Sequence, residues 1–398
     1  MLNQFRADNF KSLVNVAFEP SGLNLLVGSN NAGKTNLCHA MRFLSLTSKM
    51  SLQEAASRCT AEPWSLANVY LDKPSIDLSV RCTLEREGDS MEFEYELSLS
   101  APRIDKAGRG TARLEVISEK LRLSGGQFKN TVLLENQAGK VELLHERAFL
   151  GPWQGQPPKP ATTAPTDHTM LFRLYDLEDN QRANLFKRYL GDWQYFNFDA
   201  LCLRDSTARP MDRELLPNGS NLASVLYTMK GSDERTYRKI LEAAKAVEPK
   251  LDLINFQSPD PEHVYLFFED DQGKRFGAQN LSDGTLRYLA LCTVIISNRA
   301  ASGGAPPIIL VEEPENGIFV GHLKPLFERL NPTGVEGQYV FTSHAPYFID
   351  LFDSCLDGIW VVRSQKTHSL LERPGRSKLE ANLGQYSLGE MHFRGLLQ

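Results

Sequence analysis

The chain has 398 residues, 41% hydrophobic and 23% charged, an ordinary soluble composition long enough for a large core and more than one domain. With 44 Lys and Arg against 49 Asp and Glu the formal charge is −5, so bulk charge announces no nucleic-acid partner and leaves only a local basic groove as a route to DNA. Cys38, Cys59, Cys82, Cys202, Cys292 and Cys355 form no CxxC pair and read as reduced, packed thiols of a cytoplasmic protein, not as a disulfide or zinc frame. The opening MLNQFRADNFKSL has no apolar core of signal-peptide length, and no run of about 18 apolar residues is present to span a membrane.

In chain order, strands are expected around Leu2–Phe10 and Val14–Phe18, followed by an apolar strand at Leu23–Val27. Next, Gly28-Ser29-Asn30-Asn31-Ala32-Gly33-Lys34-Thr35 reads GxxxxGK(S/T), the phosphate-binding P-loop. A helix should follow, because Asn36 to Leu46 keeps Leu37, Ala40, Met41 and Leu44 on one face. Strand, glycine loop and helix are the context the motif requires. Gly28 and Gly33 free the backbone to point successive N–H groups at phosphate oxygens, and the helix adds the positive end of its dipole. Gly28, Asn30, Asn31, Ala32, Gly33, Lys34, Thr35 and Asn36 are therefore the candidate residues for binding a nucleoside triphosphate. In this reading Lys34 reaches the β- and γ-phosphates and the Thr35 hydroxyl meets Mg²⁺.

From Ile76 to about Leu144 the pattern becomes short alternating segments separated by turn residues, which predicts an antiparallel sheet. Residues 151–168 carry five prolines and read as a loop or linker. A helical pattern runs from Met170 to about Val247, and HVYLFFEDDQGKRFGA reads as a hairpin around Asp271-Gln272-Gly273. A helix over Thr285–Asn298 and strands at Ile308–Val311 and Tyr339–Thr342 complete the expected core. The implied division is a P-loop and antiparallel β lobe (1–150), a proline-rich loop (151–169), a helical insertion (170–250) and a final lobe (251–398).

The final lobe supplies the rest of a site. Ile308 to Glu315 is an apolar strand ending in adjacent carboxylates, which suits Glu312 to the metal side and Glu313 to the general base that orients an attacking water. Ser282 and the Gly284 backbone, in Asn280-Leu281-Ser282-Asp283-Gly284-Thr285, can donate to phosphate oxygens just before a helix N-terminus.

The order of these motifs resembles a RecF/SMC-type ABC ATPase, and more narrowly the AAA-family ATPases related to the OLD (overcoming lysogenisation defect) proteins. FRADNFKSL, GSNNAGKTN, LSDGTLRYLAL, VEEPENGI and TSHAPYFID carry the likeness over nearly the whole chain. The resemblance implies an α/β P-loop NTPase of ABC-head type, with a mixed central sheet, an antiparallel β lobe and a helical insertion. It further implies that Ser282, Asp283 and Gly284 contact the γ-phosphate held by a second subunit, that His344 senses it, and that ATP and Mg²⁺ are the ligands. Gln53 is the candidate for the glutamine that links metal to the lobe interface in relatives. Leu123-Ser124-Gly125-Gly126-Gln127 spells the transporter signature, but it lies between alternating strands with no helix after it and is expected to be a hairpin turn. About 50 residues follow His344, too few for the TOPRIM nuclease of OLD proteins, so a separately encoded nuclease or toxin effector is expected.

The favoured expectation is a cytoplasmic, head-to-head dimeric ATPase (or a higher oligomer) that gates DNA sensing or an effector in anti-phage defence or DNA maintenance. The alternatives are a scaffold using ATP as dimer glue with little hydrolysis, and the ATP-binding subunit of a membrane transporter.

Overall fold

The computed structural model describes residues 1–397 except 87, 102, 105–109, 112, 145, 147–160, 176–177, 205–210, 261–262, 298–306 and 331–336. The prolines expected to form a loop at 151–160, and Asn298, the expected helix end, lie outside the described residues.

Two large sheets organise the chain. The first is antiparallel and runs β11 (Ala161–Thr163), β10 (Lys140–Leu143), β9 (Phe128–Gln137), β8 (Val116–Gly125), β5 (Asp89–Ser100), β4 (Ser75–Arg86), β1 (Leu2–Asp8), β2 (Val16–Phe18). Its strands alternate as the sequence does: on β5, Met91, Phe93, Tyr95, Leu97 and Leu99 are buried while the intervening residues are not. The turn between β8 and β9 uses Gly125 and Gly126 at φ +128° and +56°, so the apparent transporter signature is a hairpin turn.

The second sheet runs β12 (Gln194–Phe196), β16 (Ile308–Glu312), β17 (Gln338–Ser343), β3 (Leu23–Val27), β18 (Ile359–Ser364), β19 (Ser369–Glu372) and is parallel except at β19. Every residue of β3, β16 and β17 is buried, the pattern of strands covered on both faces. Gln338 ties the sheets together: its Oε1 accepts the Leu2 N–H at 2.6 Å and its Nε2 donates to the Leu2 carbonyl at 3.0 Å. Smaller pairings are β6 (Arg103–Ile104) with β7 (Gly110–Thr111), and the antiparallel set β13 (Leu251–Asp260), β14 (His263–Asp270), β15 (Arg275–Gly277).

One core cluster packs the antiparallel sheet against the helix Lys34–Thr47, with Phe10 and Phe43 rings 5.8 Å apart. The other fills the opposite face of the parallel sheet, where Phe327, Phe341, Phe348 and Phe352 form one aromatic cluster.

Three elements differ from expectation. Ala161–Thr163, inside the expected proline-rich loop, pairs with β10, whose outer edge would otherwise lack partners. Gln194–Phe196, inside the expected helical insertion, is the edge strand of the parallel sheet. The helix expected from Thr285 begins at Asp283, because the Ser282 hydroxyl accepts the Thr285 N–H at 3.1 Å and caps it. Among the described residues no helix is long and apolar enough to cross a membrane.

Candidate nucleotide site

The P-loop leaves the C-terminal end of β3 in a space that admits no side chain at its glycines. A Cβ on Gly28 would stand 2.3 Å from the Val362 carbonyl oxygen, and one on Gly33, at φ +113°, 2.2 Å from Ser369 Oγ. Ser369 is the underside clamp. Its hydroxyl donates to the Ala32 carbonyl at 2.5 Å and meets Ser12 Oγ at 2.7 Å, and Asn36 Nδ2 donates to that same Ser12 oxygen at 2.7 Å. Asn30 and Asn31 are exposed on the loop, with Asn31 at φ 62°, a conformation asparagine tolerates. Lys34 is buried, and its Nζ donates to the Gly28 and Ser29 carbonyls at 2.7 and 3.0 Å. Burial lowers its pKa, opposed by the nearby Glu313, Glu315 and Glu312 carboxylates.

β16 delivers the carboxylates opposite this loop. Glu312 Oε2 accepts the Thr35 hydroxyl at 3.0 Å across 277 residues of sequence. Its Oε1 is buried and meets no partner at hydrogen-bonding geometry. Burial raises the Glu312 pKa, and the Thr35 and Tyr195 hydroxyls beside the carboxylate oppose that rise. Glu313 is a non-glycine residue at φ 43°, a left-handed turn held by its N–H to the Thr342 carbonyl at 3.1 Å. That turn swings its side chain out of the strand. Asn316 Nδ2 donates to Glu313 Oε2 at 2.8 Å, and His344 Nδ1 lies 3.4 Å from Oε1. The two residues assigned from sequence to base and sensor thus meet, both partly exposed.

Glu315 escaped the sequence reading. It is buried, accepts the Ser343 hydroxyl and leaves Oε2 without a partner, while Ser343 Oγ accepts the Ala345 N–H at 3.0 Å. Its only signal was being the third carboxylate of the strand end.

Ser282, Asp283 and Gly284 form a separate cluster. Gly284 packs so tightly that a Cβ would stand 2.0 Å from the Gly317 carbonyl oxygen, and Arg287 Nη1 donates to the Asn316 carbonyl at 2.9 Å. The helix Asp283–Ile296 is thereby bolted to the turn after Glu313. Arg204, also missed from sequence, ion-pairs with Asp283 and donates to the Gln279 carbonyl at 2.9 Å; this guanidinium holds the Asp283 carboxyl below its usual range. Among the described residues no hydrogen bond joins Ser282, Asp283 or Gly284 to the P-loop, Glu312 or His344. Gln53 is exposed on the short helix Leu52–Ser57.

A second polar group borders the P-loop helix. Lys11 Nζ lies 2.7 Å from His39 Nδ1, and His39 Nε2 lies 3.3 Å from the Tyr195 hydroxyl. Burial, with Lys11 and Arg42 nearby, pushes the His39 pKa down to about 3, so the ring is neutral.

Residues 23–350 match the family described as "AAA domain, putative AbiEii toxin, Type IV TA system". Among solved structures, a Smc head bound to the C-terminal winged-helix domain of ScpA aligns with 95% of this chain and 99% of its own, at 13% identity and TM-score 0.56. A Smc head with an extended coiled coil, bound to the C-terminal domain of ScpA derived from Pyrococcus furiosus, covers 96% and 98% at 12% identity and TM-score 0.48. The Thermotoga maritima SMC head covers 94% and 98% at 12% identity and TM-score 0.40. No curated protein matches the sequence. Such low identities speak to fold alone. The chain belongs to the AAA-domain family that matches it, and its fold is that of an SMC head.

Proposed function

We propose that this chain binds ATP with Mg²⁺, hydrolyses it, and works as a head-to-head dimer that gates DNA sensing or a separate effector. The observation that carries the reading is the convergence at the ends of β3, β16 and β17: Thr35 hydrogen-bonded to Glu312, and Glu313 beside His344. The donor set fits Mg²⁺, because a hydroxyl and a carboxylate are hard oxygen ligands and the buried Glu312 Oε1 has unspent capacity. Bound there, Mg²⁺ would neutralise charge on the β- and γ-phosphate oxygens.

The protein's own residues perform the remainder. Lys34 exchanges its two carbonyl partners for phosphate oxygens, and the P-loop N–H groups cradle the triphosphate. Glu313 accepts a proton from the attacking water as its oxygen bonds to the γ-phosphorus and the bond to the bridging oxygen breaks. Asn316 and His344 hold that carboxylate in place. Ser282 and Gly284, which make no hydrogen bond to their own P-loop among the described residues, would complete the site of a second copy in an isologous pair. A role in anti-phage defence or DNA maintenance, with a nuclease or toxin as effector, is in keeping with the toxin–antitoxin wording of the matching family.

The test is Glu313→Gln. Turnover should fall by about 10²–10⁴ while ATP still binds, and the protein with ATP–Mg²⁺ should double its mass. Wild-type turnover in this variant would remove the base role from Glu313. A strictly monomeric species at micromolar concentration, with and without ATP–Mg²⁺, would contradict the shared site.

A further inference from the structure

Arg204 is the last residue of the helix Ala200–Arg204, which packs on the helix Asp283–Ile296 and is anchored by the buried Leu203. Its guanidinium grips the chain on both sides of Ser282. Nη1 donates to the Gln279 carbonyl at 2.9 Å, in the short helix Ala278–Asn280 that leads into the segment. Nε donates to Asp283 Oδ1 at 3.1 Å, and Nη2 donates to the same oxygen. The Arg204 side chain is 21% exposed against 57% for Asp283, so the cation lies behind a carboxylate that faces solvent. Arg287, one turn further along the helix, spends its Nη1 on the Asn316 carbonyl instead.

A carboxylate is an unfavourable neighbour for a phosphate. In the first turn of a helix Asp283 meets the positive end of the dipole, which favours it. It does so in place of an anionic ligand, which that same helix end would otherwise attract. Bare, its charge would also repel a triphosphate directly, and like charges brought together at an interface are costly. A guanidinium on the carboxylate cancels that charge and leaves intact the Ser282 cap, whose hydroxyl accepts the Thr285 N–H at 3.1 Å. Arginine suits the task, because it stays protonated and its planar fork reaches a carboxylate and a backbone carbonyl at once.

We propose that Arg204 is a positioning residue of the shared site: paired with Asp283, it cancels the one carboxylate of the Ser282–Gly284 segment, so that this segment can close on the triphosphate held by a second copy. The inference rests on the reading that these residues complete a second copy's site.

The experiment measures ATP–Mg²⁺-driven dimerisation by sedimentation in the Glu313→Gln protein, alongside the ATP affinity of the dilute monomer and thermal unfolding. Adding Arg204→Ala should weaken dimerisation roughly tenfold or more at about 0.05 M salt, and by less at about 0.5 M, where the charges are screened. Monomer ATP affinity should stay within about twofold of the parent, because the Arg204 hydrogen bonds go to Gln279 and Asp283 and not to the P-loop. Asp283→Asn added to Arg204→Ala removes the stranded carboxylate and should bring dimerisation back to within about threefold of the parent. A purely structural ion pair behaves otherwise: the double variant would be as weak as Arg204→Ala. That result, or unchanged dimerisation in Arg204→Ala, overturns the proposal. Ser282→Arg separates the two layers. If it dimerises like the parent, the shared-site reading fails and the inference with it; if it stays monomeric while Arg204→Ala dimerises normally, only the inference falls. Should Arg204→Ala not fold, Arg204→Gln keeps a donor for the Gln279 carbonyl and should weaken dimerisation at least about threefold, again reversed by Asp283→Asn, with no change overturning the proposal.

Discussion

Buried carboxylates beside the two sheets are treated differently. In the antiparallel sheet Glu119 is fully buried and its oxygens are saturated: they accept the Met170 and Leu171 N–H groups at 2.6 and 2.9 Å, the Tyr95 hydroxyl at 2.9 Å and Asn136 Nδ2 at 3.5 Å. Just beyond β10, Glu146 likewise accepts the Arg182 N–H at 2.9 Å with both oxygens and the Ala183 N–H at 3.1 Å. At the end of the parallel sheet Glu312, the last residue of β16, and Glu315, in the turn after it, are also buried, yet each retains one oxygen without a partner. A buried polar atom with nothing to bond costs free energy, and two such carboxylate oxygens stand together in the turn that faces the P-loop. Saturated carboxylates hold the antiparallel lobe to the helices that follow it; unsaturated ones hold capacity for a ligand. Burial raises the pKa in both classes, so acidity does not separate them and satisfaction does.

The largest expected effect strikes the saturated class. Glu119→Ala strands two backbone N–H groups and a tyrosine hydroxyl in the core, at about 1–3 kcal/mol each, and should lower unfolding free energy by about 3–5 kcal/mol in a urea titration. A loss below about 1 kcal/mol would mean that the Met170–Arg173 helix does not depend on this anchor.

Much of this contrast could be read from the sequence, and the unreadable part has a physical pattern. Strand periodicity on β4, β5, β8 and β9 is local, and so are the P-loop, the apolar run into Glu312 and the glycines of the β8–β9 turn. The three-residue strands at Gln194–Phe196 and Ala161–Thr163 are too short to show a period; their partners, not their composition, make them strands. The clamp Ser12–Ser369 spans 357 residues and the Arg204–Asp283 pair 79, and nothing near those serines or that arginine distinguishes them from solvated ones. Glu119 shares the inward parity of Leu121 and Leu123 on β8, but the N–H groups that satisfy it, those of Met170 and Leu171, lie 51 and 52 residues further on. The catalytic candidates were legible because their chemistry is fixed by short motifs; their supports were not, because support is a long-range property.

A smaller effect is expected in the P-loop. Lys34→Ala removes charge-assisted contacts to phosphate worth about 1.5–3 kcal/mol, so ATP affinity by calorimetry should fall roughly 10- to 150-fold. Unchanged affinity in a folded variant would take the triphosphate away from this loop.

The most direct test sets one carboxylate of each class side by side: thermal unfolding of Glu312→Gln and Glu119→Gln, each with and without ATP–Mg²⁺. If the unpartnered Glu312 oxygen is reserved for a ligand, Glu312→Gln leaves the stability of the ligand-free protein within about 1 kcal/mol of wild type and abolishes the Mg²⁺-dependent part of the ATP-induced rise in Tm. Glu119→Gln should do the reverse, lowering the ligand-free Tm while keeping that rise. A Glu312→Gln protein that is destabilised like Glu119→Gln yet keeps the full Mg²⁺-dependent rise would contradict the account.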